Sequence, residues 1–403
     1  MDPLKVMMNK STVFPVFQPV FNLEQFEVIG YEVLGNIQID DKNLSLGSFF
    51  MDSSVPAEYK WEIEELIQEK TIKMFLESND EWPSLFFNID PNALYHENNH
   101  DLFIQRIEKF EKDGFPRKNI VLYVNAHQFD GEVDELSHIF RYLKANDLKL
   151  GLADLGREGN DLDTFSQLEP NMFKVNMEKM KETSAVHSIR DVLDALTFFA
   201  RKIGAVVTFE GISDPHHLYT AWKHGGRFIQ GDLLSTKTNN AVDRNYRQQL
   251  LASQVTSFVN YDKKRMNEQW KFVQMLDNKI TNIQEELENE ELLLEEVTKF
   301  ISSWAFRAYI CDSNGYQKSP NYLKGDQEWQ IDEASKGKNW SWRSYFLENL
   351  VKMEHGNTGI LSDSYRDIDS NELIRTYSFQ INHDLFLFID MNQDFLYEKD
   401  WLR

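Results

Sequence analysis

The sequence predicts a mixed α/β protein that begins with a (β/α)8 barrel of the TIM type. Over about 240 residues, short β-rich runs alternate with amphipathic segments, and the runs number eight, as in a closed barrel. An open, doubly wound sheet is the alternative fold, because it shows the same alternation. The predicted strands are 14–21, 29–34, 85–89, 120–124, 148–152, 172–175, 205–209 and 227–230.

The segments between these runs are predicted to be helices that cover the barrel. Their apolar residues recur at intervals of three and four, so each helix has one apolar face that can pack against the strands. The clearest predicted helices are 62–75, 102–112, 133–145 and 186–202. Together with the strands they predict a barrel domain over residues 1–240.

The second predicted strand carries the first functional signal. Residues 28–36 form an apolar run that contains one carboxylate, Glu32. A carboxylate in such a run is costly unless it is paired, hydrogen-bonded or bound to a metal, and such groups are common at functional sites. A structural ion pair between Glu32 and a lysine explains this run equally well.

Polar residues occur at most of the predicted strand ends. In a barrel of this kind the carboxyl ends of the strands meet at one mouth, where catalytic and binding residues lie. Any one of these residues alone is more often structural, but several that converge on one mouth favour a functional site. The strand-end residues are Gln18, Glu32, Asn88, Tyr123, Ala153 with Asp154, Lys174, Glu210 and Gln230.

Residues 241–304 are predicted to be connecting helices. Their apolar residues mostly follow a three-and-four spacing, but Asp262 and Glu290 interrupt the heptads. We therefore favour connected helices over one unbroken coiled coil. Their apolar stripe is expected to be buried, either against the C-terminal domain or across the interface of a homodimer, whereas the acidic stretch 285–296 is expected to be solvated.

Residues 305–403 are predicted to form a small α+β domain. A strand is expected at 306–311, and residues 373–381 and 385–390 are expected to form a hairpin. This pattern resembles PAS and Cache-type sensor domains, which implies a pocket for an unknown small molecule. The same aromatic residues fit an ordinary core. The candidate pocket residues are Trp340, Trp342, Arg343, Tyr345, Tyr365 and Arg375.

Composition excludes several classes of function. The net charge of −22 repels nucleic-acid phosphates and anionic membrane surfaces, and no apolar run approaches the roughly 20 residues that span a bilayer. Cys311 is the only cysteine, which excludes an intrachain disulfide and a Cys-rich zinc site. The first residues show no basic segment followed by an apolar one, so a cytoplasmic protein without nucleic-acid or membrane partners is expected.

Five short motifs lie at the predicted strand ends: Tyr31-Glu32-Val33-Leu34, Phe87-Asn88, Phe173-Lys174-Val175-Asn176, Phe209-Glu210-Gly211-Ile212 and Gln230-Gly231. In their order and spacing over residues 4–237 they resemble EAL domains, the cyclic di-GMP phosphodiesterase family. Each motif is weak alone, but the series is specific.

The resemblance implies a site where Mg²⁺ or Mn²⁺ activates a water that attacks one phosphodiester. Glu32 matches the Glu of the name-giving motif and Asn88 matches an amide ligand, so these two residues are the implied metal ligands. Lys174 and Glu210 match catalytic positions. The implied ligand-binding positions are Gln18, Glu32, Leu34, Asn88, Asp154 and Gln230.

The sequence departs from the family pattern at the implied metal site. Tyr123 stands where the family has a metal-binding Glu, and Ala153 stands where it has an Asp. Asp154 is not a simple replacement, because neighbouring strand residues point to opposite faces. Asn36 stands where the family has an Arg that meets a substrate phosphate. Further departures are Ala126 for a Glu, Asn176 for an Asp and Asp232 for an aromatic residue.

These departures predict a degenerate, catalytically inactive EAL domain in a cyclic di-GMP signalling protein regulated through its C-terminal domain. Losing one metal ligand or its support commonly costs about 10- to 100-fold in metal affinity or activity. The alternative function is a weak phosphodiesterase that uses Mg²⁺ or Mn²⁺. The retained Glu32, Lys174 and Glu210 also fit a buried charge cluster that keeps the barrel mouth folded. Cyclic di-GMP is the candidate ligand, and no tightly bound cofactor is expected.

Overall fold

The computed structural model describes residues 1–78, 82–155, 162–183, 186–287, 290–326, 328–343 and 346–402. The chain forms two compact units, Met1–Thr256 and Ser257–Arg403. Within the described ranges, no helix combines the length and the apolar character needed to cross a membrane.

The first unit contains a closed barrel. Its strands are β1 Val13–Asn22, β2 Glu27–Ile39, β3 Lys42–Ser45, β4 Ser84–Ile89, β5 Ile120–Val124, β6 Lys149–Leu155, β7 Met172–Asn176, β8 Val206–Glu210 and β9 Phe228–Ile229. Eight of them close in the order β1-β2-β4-β5-β6-β7-β8-β9, with β9 pairing β1 again, while β3 pairs the outer end of β2. The closure confirms the predicted barrel over the open sheet.

The first strand corrects one feature of the prediction. β1 runs antiparallel to both of its neighbours, so the barrel is not built from eight equivalent βα units. Only four residues, Leu23 to Phe26, link β1 to β2. A link this short closes a hairpin, because a crossover to a parallel strand needs a dozen residues or more. Gln18 therefore lies in the middle of β1, directly opposite Glu32, and not at a carboxyl end.

Helices surround the barrel, and the four predicted helices are confirmed as parts of α3, α5, α6 and α9. The apolar face of α5 illustrates their packing, since Phe103, Ile107 and Phe110 recur every three or four residues and are all buried. The helices of this unit are α1 Pro3–Met8, α2 Gly47–Met51, α3 Ala57–Glu77, α4 Pro91–Tyr95, α5 Asn99–Lys112, α6 Val133–Ala145, α7 Leu162–Leu168, α8 Met177–Thr183, α9 Val186–Ile203 and α10 Pro215–Lys223.

The second unit is built on an antiparallel sheet. Its strands are β10 Ala305–Asp312, β11 Asn321–Lys324, β12 Trp329–Asp332, β13 Ile360–Leu361, β14 Tyr365–Arg366, β15 Leu373–Gln380 and β16 Leu385–Met391. The order is β12-β11-β10-β16-β15-β13, and β14 pairs the other part of β15. The predicted first strand is present as β10, and the predicted hairpin is present as β15 and β16.

Four helices accompany this sheet: α11 Gln248–Glu285, which begins in the first unit, α12 Glu290–Ile301, α13 Phe346–Gly356 and α14 Gln393–Glu398. α11 and α12 are separate helices, as predicted. Ile280 of α11 and Val297 of α12 are fully buried in one apolar cluster with Ile389 of β16. The part of the predicted apolar stripe around Ile280 and Val297 is therefore buried against the C-terminal sheet. The stripe is not buried throughout, because Met266 and Trp270 are 63% and 60% exposed.

Two of the candidate pocket residues of the tail make structural contacts. The buried Arg375 donates hydrogen bonds to the carbonyl oxygens of Ser362 at 2.6 Å and Leu402 at 2.9 Å, so its guanidinium ties together two parts of the backbone. The Tyr365 hydroxyl lies 2.6 Å from the Thr376 hydroxyl. These contacts favour a structural role for both residues.

Among the remaining candidates, Arg343 lies close to both Trp340 and Trp342. Nε1 of Trp340 donates to Oε1 of Gln317 at 2.9 Å. The Arg343 guanidinium lies 4.5 Å from the centroid of the Trp340 ring and 5.8 Å from that of Trp342, which is 65% exposed. Tyr345 lies outside the described residues. A tail-domain ligand stays a prediction.

Replacing Ile280 by Asp is expected to destabilise the second unit by more than about 4 kcal/mol, because the change removes a buried apolar side chain and buries an unpaired charge. Thermal melting followed by circular dichroism measures the loss. Met275→Asp on the same helix is the matched control, because Met275 is 45% exposed. Equal melting curves for Ile280→Asp and the parent would contradict the packing of α11 on the sheet.

Candidate ligand site at the mouth of the barrel

Six of the predicted strand-end residues line one cavity of about 290 Å³; they are Glu32, Asn88, Tyr123, Ala153, Lys174 and Glu210. The carboxyl ends of the parallel strands form its floor, and α2, α3 and the segment after β9 form its walls. The polar and charged residues that line it are Glu32, Ser45, Glu64, Gln68, Asn88, Asp90, Tyr123, Asn125, Gln128, Lys174, Lys179, Glu210 and Lys237. Its apolar lining includes Leu34, Phe50, Met51, Ile67 and Ala153.

Glu32 is the centre of the polar network. Its Oε1 accepts hydrogen bonds from Nδ2 of Asn88 at 2.6 Å and from Nζ of Lys174 at 2.5 Å, and its Oε2 accepts one from Nε2 of Gln230. Burial opposes ionisation of Glu32, but the Lys174 charge and the hydrogen bonds outweigh it, so the pKa of Glu32 lies below its ordinary value. Glu32 is therefore an ionised, fully engaged carboxylate.

Lys174 joins this carboxylate to a second one. Its Nζ lies 2.8 Å from Oε2 of Glu210, and the side chain is 3% exposed. Burial lowers the pKa of Lys174, but the charges of Glu210 and Glu32 and their hydrogen bonds raise it by more, so the ammonium stays charged. Nδ2 of Asn176 donates to Oε1 of Glu210 at 2.7 Å. The ion pairs are thus supported on both sides by amide groups.

Tyr123 contributes packing to the barrel interior. It is 2% exposed, its ring stacks on Phe86, and its hydroxyl lies 3.0 Å from the Thr208 hydroxyl. Burial raises the pKa of the Tyr123 hydroxyl to about 12. The ring also lies beneath Lys174, with Nζ 5.0 Å from the ring centroid. A side chain at Gly151 would lie within 2.4 Å of the ring, so Gly151 leaves the space that Tyr123 fills.

The residues at the mouth do not fit a divalent metal ion. Both oxygens of Glu32 are engaged by Asn88, Lys174 and Gln230, and Ala153 lines the cavity with a methyl group. Within the described part of the chain, no group of three or more His, Cys, Asp or Glu residues is placed to hold a metal. A hard divalent ion needs several oxygen ligands at one point. Here the Lys174 ammonium supplies the positive charge between the carboxylates.

The other predicted positions are placed as follows. Gln18 is buried opposite Glu32, and its Nε2 lies 3.4 Å from both Oδ1 of Asp232 and the carbonyl oxygen of Ser235. Leu34 is half-buried and lines the cavity. The backbone of Asp154 belongs to β6, but its side chain lies outside the described residues.

Sequence reasoning missed a buried polar stripe on α3. Lys60, Glu64, Gln68 and Thr71 are all buried, and their spacing of three and four residues was the signal that could have revealed one inward face. Oε1 of Glu64 accepts the backbone N–H of Asp90 at 3.1 Å. Oε2 of Glu64 is buried without a hydrogen-bond partner among the described residues. Burial raises the pKa of Glu64 well above its ordinary value.

Comparison with known proteins identifies the family of both parts of the chain. The profile of the EAL domain matches residues 2–237, and that of the EAL-domain associated signalling protein domain matches residues 241–403. The uncharacterized EAL-domain containing protein YkuI of Bacillus subtilis (strain 168) is 32% identical over 407 residues, which covers 100% of both chains.

Two solved structures extend the comparison. The crystal structure of the Bacillus subtilis YkuI protein, in complex with substrate c-di-GMP and calcium, superposes with a TM-score of 0.93 at 31% identity over 100% of both chains. The EAL domain of FimX from Xanthomonas citri, in complex with c-diGMP, has a TM-score of 0.50 at 18% identity, with 60% of this chain and 94% of that chain covered, which shows the fold alone. The chain therefore belongs to the EAL-domain family.

Proposed function

We propose that this chain is a cytoplasmic receptor that binds cyclic di-GMP at the mouth of the barrel and does not hydrolyse it. The main supporting observation is the buried Lys174 ammonium between Glu32 and Glu210, at 2.5 Å and 2.8 Å. This arrangement places a positive side chain of the protein between the two retained carboxylates, where a metal ion would otherwise lie. The fold of the family is kept, whereas the side chains at the mouth do not fit a metal centre.

Binding of cyclic di-GMP is supported by the cavity and by the relative. The YkuI structure, similar over its full length, contains c-di-GMP. In this chain the cavity combines apolar Phe50, Met51 and Ile67 with Oε2 of Glu64, which has no hydrogen-bond partner among the described residues. A guanine base offers a flat face for apolar contacts and an exocyclic amino group as a hydrogen-bond donor. Such a base would supply the donor that Glu64 lacks.

Absence of hydrolysis is supported by the contacts of Tyr123 and Ala153. Neither side chain offers a carboxylate to the cavity, and the Tyr123 hydroxyl points to Thr208 in the barrel interior. Two missing ligands, each worth about 10- to 100-fold in metal affinity or activity, leave little catalysis. Lys174 cannot act as a general base, because Glu32 and Glu210 keep its amino group protonated.

The second candidate function is a weak phosphodiesterase that depends on Mg²⁺ or Mn²⁺. It is favoured by the activity of the family and by the retained Glu32, Asn88, Lys174 and Glu210. For this reaction a metal would have to displace Lys174 from Glu32, which would leave the ammonium with one carboxylate in a buried site. This cost makes hydrolysis the less favoured function.

We also propose that the second unit regulates the barrel by sensing a small molecule, and that the chain forms a homodimer. The match to the EAL-domain associated signalling protein domain supports the regulatory role.

The proposed homodimer is supported by two apolar side chains on α11, Met266 and Trp270, which are 63% and 60% exposed and could pack against a second copy of the chain. Replacing both residues by Ser tests the homodimer. Light scattering should give the mass of a dimer for the parent and that of a monomer for the double variant. A parent with the mass of a monomer would contradict the homodimer.

We expect purified protein to leave cyclic di-GMP intact in Mg²⁺ or Mn²⁺, because the mouth lacks two metal carboxylates. Chromatography for the linear dinucleotide measures turnover, with buffer as the blank and an active EAL phosphodiesterase as the positive control. Turnover comparable with that of the positive control would contradict the proposed function and favour the second candidate.

The double variant Tyr123→Glu and Ala153→Asp is expected to raise the affinity for Mn²⁺ at least about tenfold, because both changes add oxygen ligands beside Glu32 and Asn88. Calorimetry of the folded protein measures the affinity. The matched control is Tyr123→Gln with Ala153→Asn, which has the same shape without the charges. Equal metal affinity in the two double variants would contradict the placement of these positions at the mouth.

Affinity for cyclic di-GMP is expected to rise with pH above the ordinary pKa of a glutamate and to level off above the raised pKa of Glu64. The empty site favours the protonated Glu64, whereas a bound donor favours the carboxylate, so binding releases a proton. Glu64→Gln is expected to bind more weakly and to lose this slope. A parent affinity independent of pH would contradict the role of Glu64.

A further inference from the structure

One carboxylate of the second unit joins three elements of the fold. Asp277 belongs to α11 and is half-buried. Its Oδ1 accepts a hydrogen bond from the hydroxyl of Tyr377 in β15 at 2.5 Å and a second one from the backbone N–H of Gly359 at 3.0 Å. Burial raises the pKa of Asp277, whereas both hydrogen bonds lower it. The carboxylate is thus stabilised at this place by its two partners.

The chain makes room for this contact at Gly359. A Cβ at this position would lie 2.4 Å from Oδ1 of Asp277 and 2.5 Å from the hydroxyl oxygen of Tyr377. Both distances are far too short for non-bonded atoms, so any other residue would push the helix and the strand apart. The absence of a side chain therefore allows the backbone N–H to reach the carboxylate.

The residues after Gly359 contact both faces of the sheet. Ile360 and Leu361 form β13, and neighbouring strand residues point to opposite faces. Ile360 packs against the apolar cluster that includes Met353 of α13. Leu361 packs against the cluster that includes Ile280 of α11. β13 therefore lies where a movement on one face of the sheet reaches the helix on the other face.

The link between α13 and Gly359 is short. α13 ends at Gly356, so only Asn357 and Thr358 intervene, and the N–H of Asn357 donates to the carbonyl oxygen of Met353 at 3.0 Å. So short a segment cannot absorb a large displacement of the helix. Trp340, one of the candidate pocket residues, packs against the same cluster as α13. A small molecule bound beside Trp340 would displace α13 and, with it, the N–H of Gly359.

Asp277 lies on the helix that begins in the first unit. α11 is one helix from Gln248 to Glu285, of which residues 248–256 belong to the first unit. Coupling between distant sites needs a rigid element whose position both sites influence. A continuous helix is such an element, because its backbone hydrogen bonds hold it together along its length. A shift of α11 at Asp277 would therefore reach the first unit directly.

We propose that Asp277, Tyr377 and Gly359 form a latch that sets the position of α11 and so couples the second unit to the affinity of the barrel for cyclic di-GMP. In the closed state, both hydrogen bonds to Asp277 are made. In the open state, α13 has moved Gly359 away, and water replaces the lost partner, because the carboxylate is only half-buried. The proposal rests on the proposed function, because it takes cyclic di-GMP as the ligand and the second unit as the regulator.

Calorimetric titration of the full chain with cyclic di-GMP tests the latch. Asp277→Ala removes the acceptor and Tyr377→Phe removes one donor, so each is expected to change Kd at least about threefold, and in the same direction. The double variant is expected to match Asp277→Ala, because that change alone already abolishes the contact. Glu285→Ala is the matched control, because it removes an exposed carboxylate from the same helix, and it should bind like the parent.

A second control separates coupling from a general loss of stability. Val297→Ala removes apolar atoms from the fully buried cluster beside α11, so it should lower the melting temperature and leave Kd unchanged. Amide hydrogen exchange of residues 248–256 measures the response of α11 without any ligand, and it should change in Asp277→Ala but not in Val297→Ala. Thermal melting verifies that each variant folds.

Two results would overturn the latch and leave the receptor function standing. One is a Kd within about twofold of the parent for both Asp277→Ala and Tyr377→Phe, which would give the contact a structural role alone. The other is an equal change of Kd in Val297→Ala. If the parent does not bind cyclic di-GMP, the proposed function is wrong, and the hydrogen exchange of residues 248–256 alone decides on the latch, which unchanged exchange in Asp277→Ala would exclude.

Discussion

The ion pairs of Lys174 with Glu32 and Glu210 are the interaction on which the mouth of this barrel depends. They join three strands, β2, β7 and β8, across a closed sheet. Buried charges are stable only when they are paired and hydrogen-bonded, and here Asn88, Gln230 and Asn176 supply the additional bonds. Removal of Lys174 would leave both carboxylates without their compensating positive charge.

This arrangement bears on what the retained family residues can do. A metal centre needs an excess of carboxylates around a point, whereas here a lysine lies between two carboxylates and above an aromatic ring. The ring of Tyr123 lines the cavity, while its hydroxyl points to Thr208 in the barrel interior. The fold of the family is kept, and the proposed receptor role takes the mouth of the barrel as a binding site.

Much of the fold could be predicted from the sequence, because strand and helix periodicity are local. The eight strands and the helices around them appear where the apolar patterns place them. The direction of β1 was missed because the count of runs was taken as a count of βα units. The four-residue link after Asn22 contained the information, since it is too short for a crossover. The convergence of Glu32, Asn88, Lys174, Glu210 and Gln230 followed from barrel geometry alone.

The inward face of α3 and the placement of Lys179 and Lys237 could not be predicted in the same way. Glu64 and Gln68 belong to a helix rich in charged residues, where a polar side chain is normally solvated, and only the closed barrel decides which face is buried. Lys179 belongs to the short helix α8 after β7, and Lys237 follows β9. Their position at the cavity depends on a capping amide and on a backbone bridge formed by residues distant in sequence.

Phosphorus-31 NMR of cyclic di-GMP bound to the full chain tests the central claim most directly. In EDTA, the account predicts that the phosphodiester resonance shifts or broadens on binding, and that no phosphomonoester resonance appears after Mg²⁺ is added. A phosphomonoester resonance that grows with time in Mg²⁺ would contradict the account, as would a phosphodiester resonance that the protein leaves unchanged.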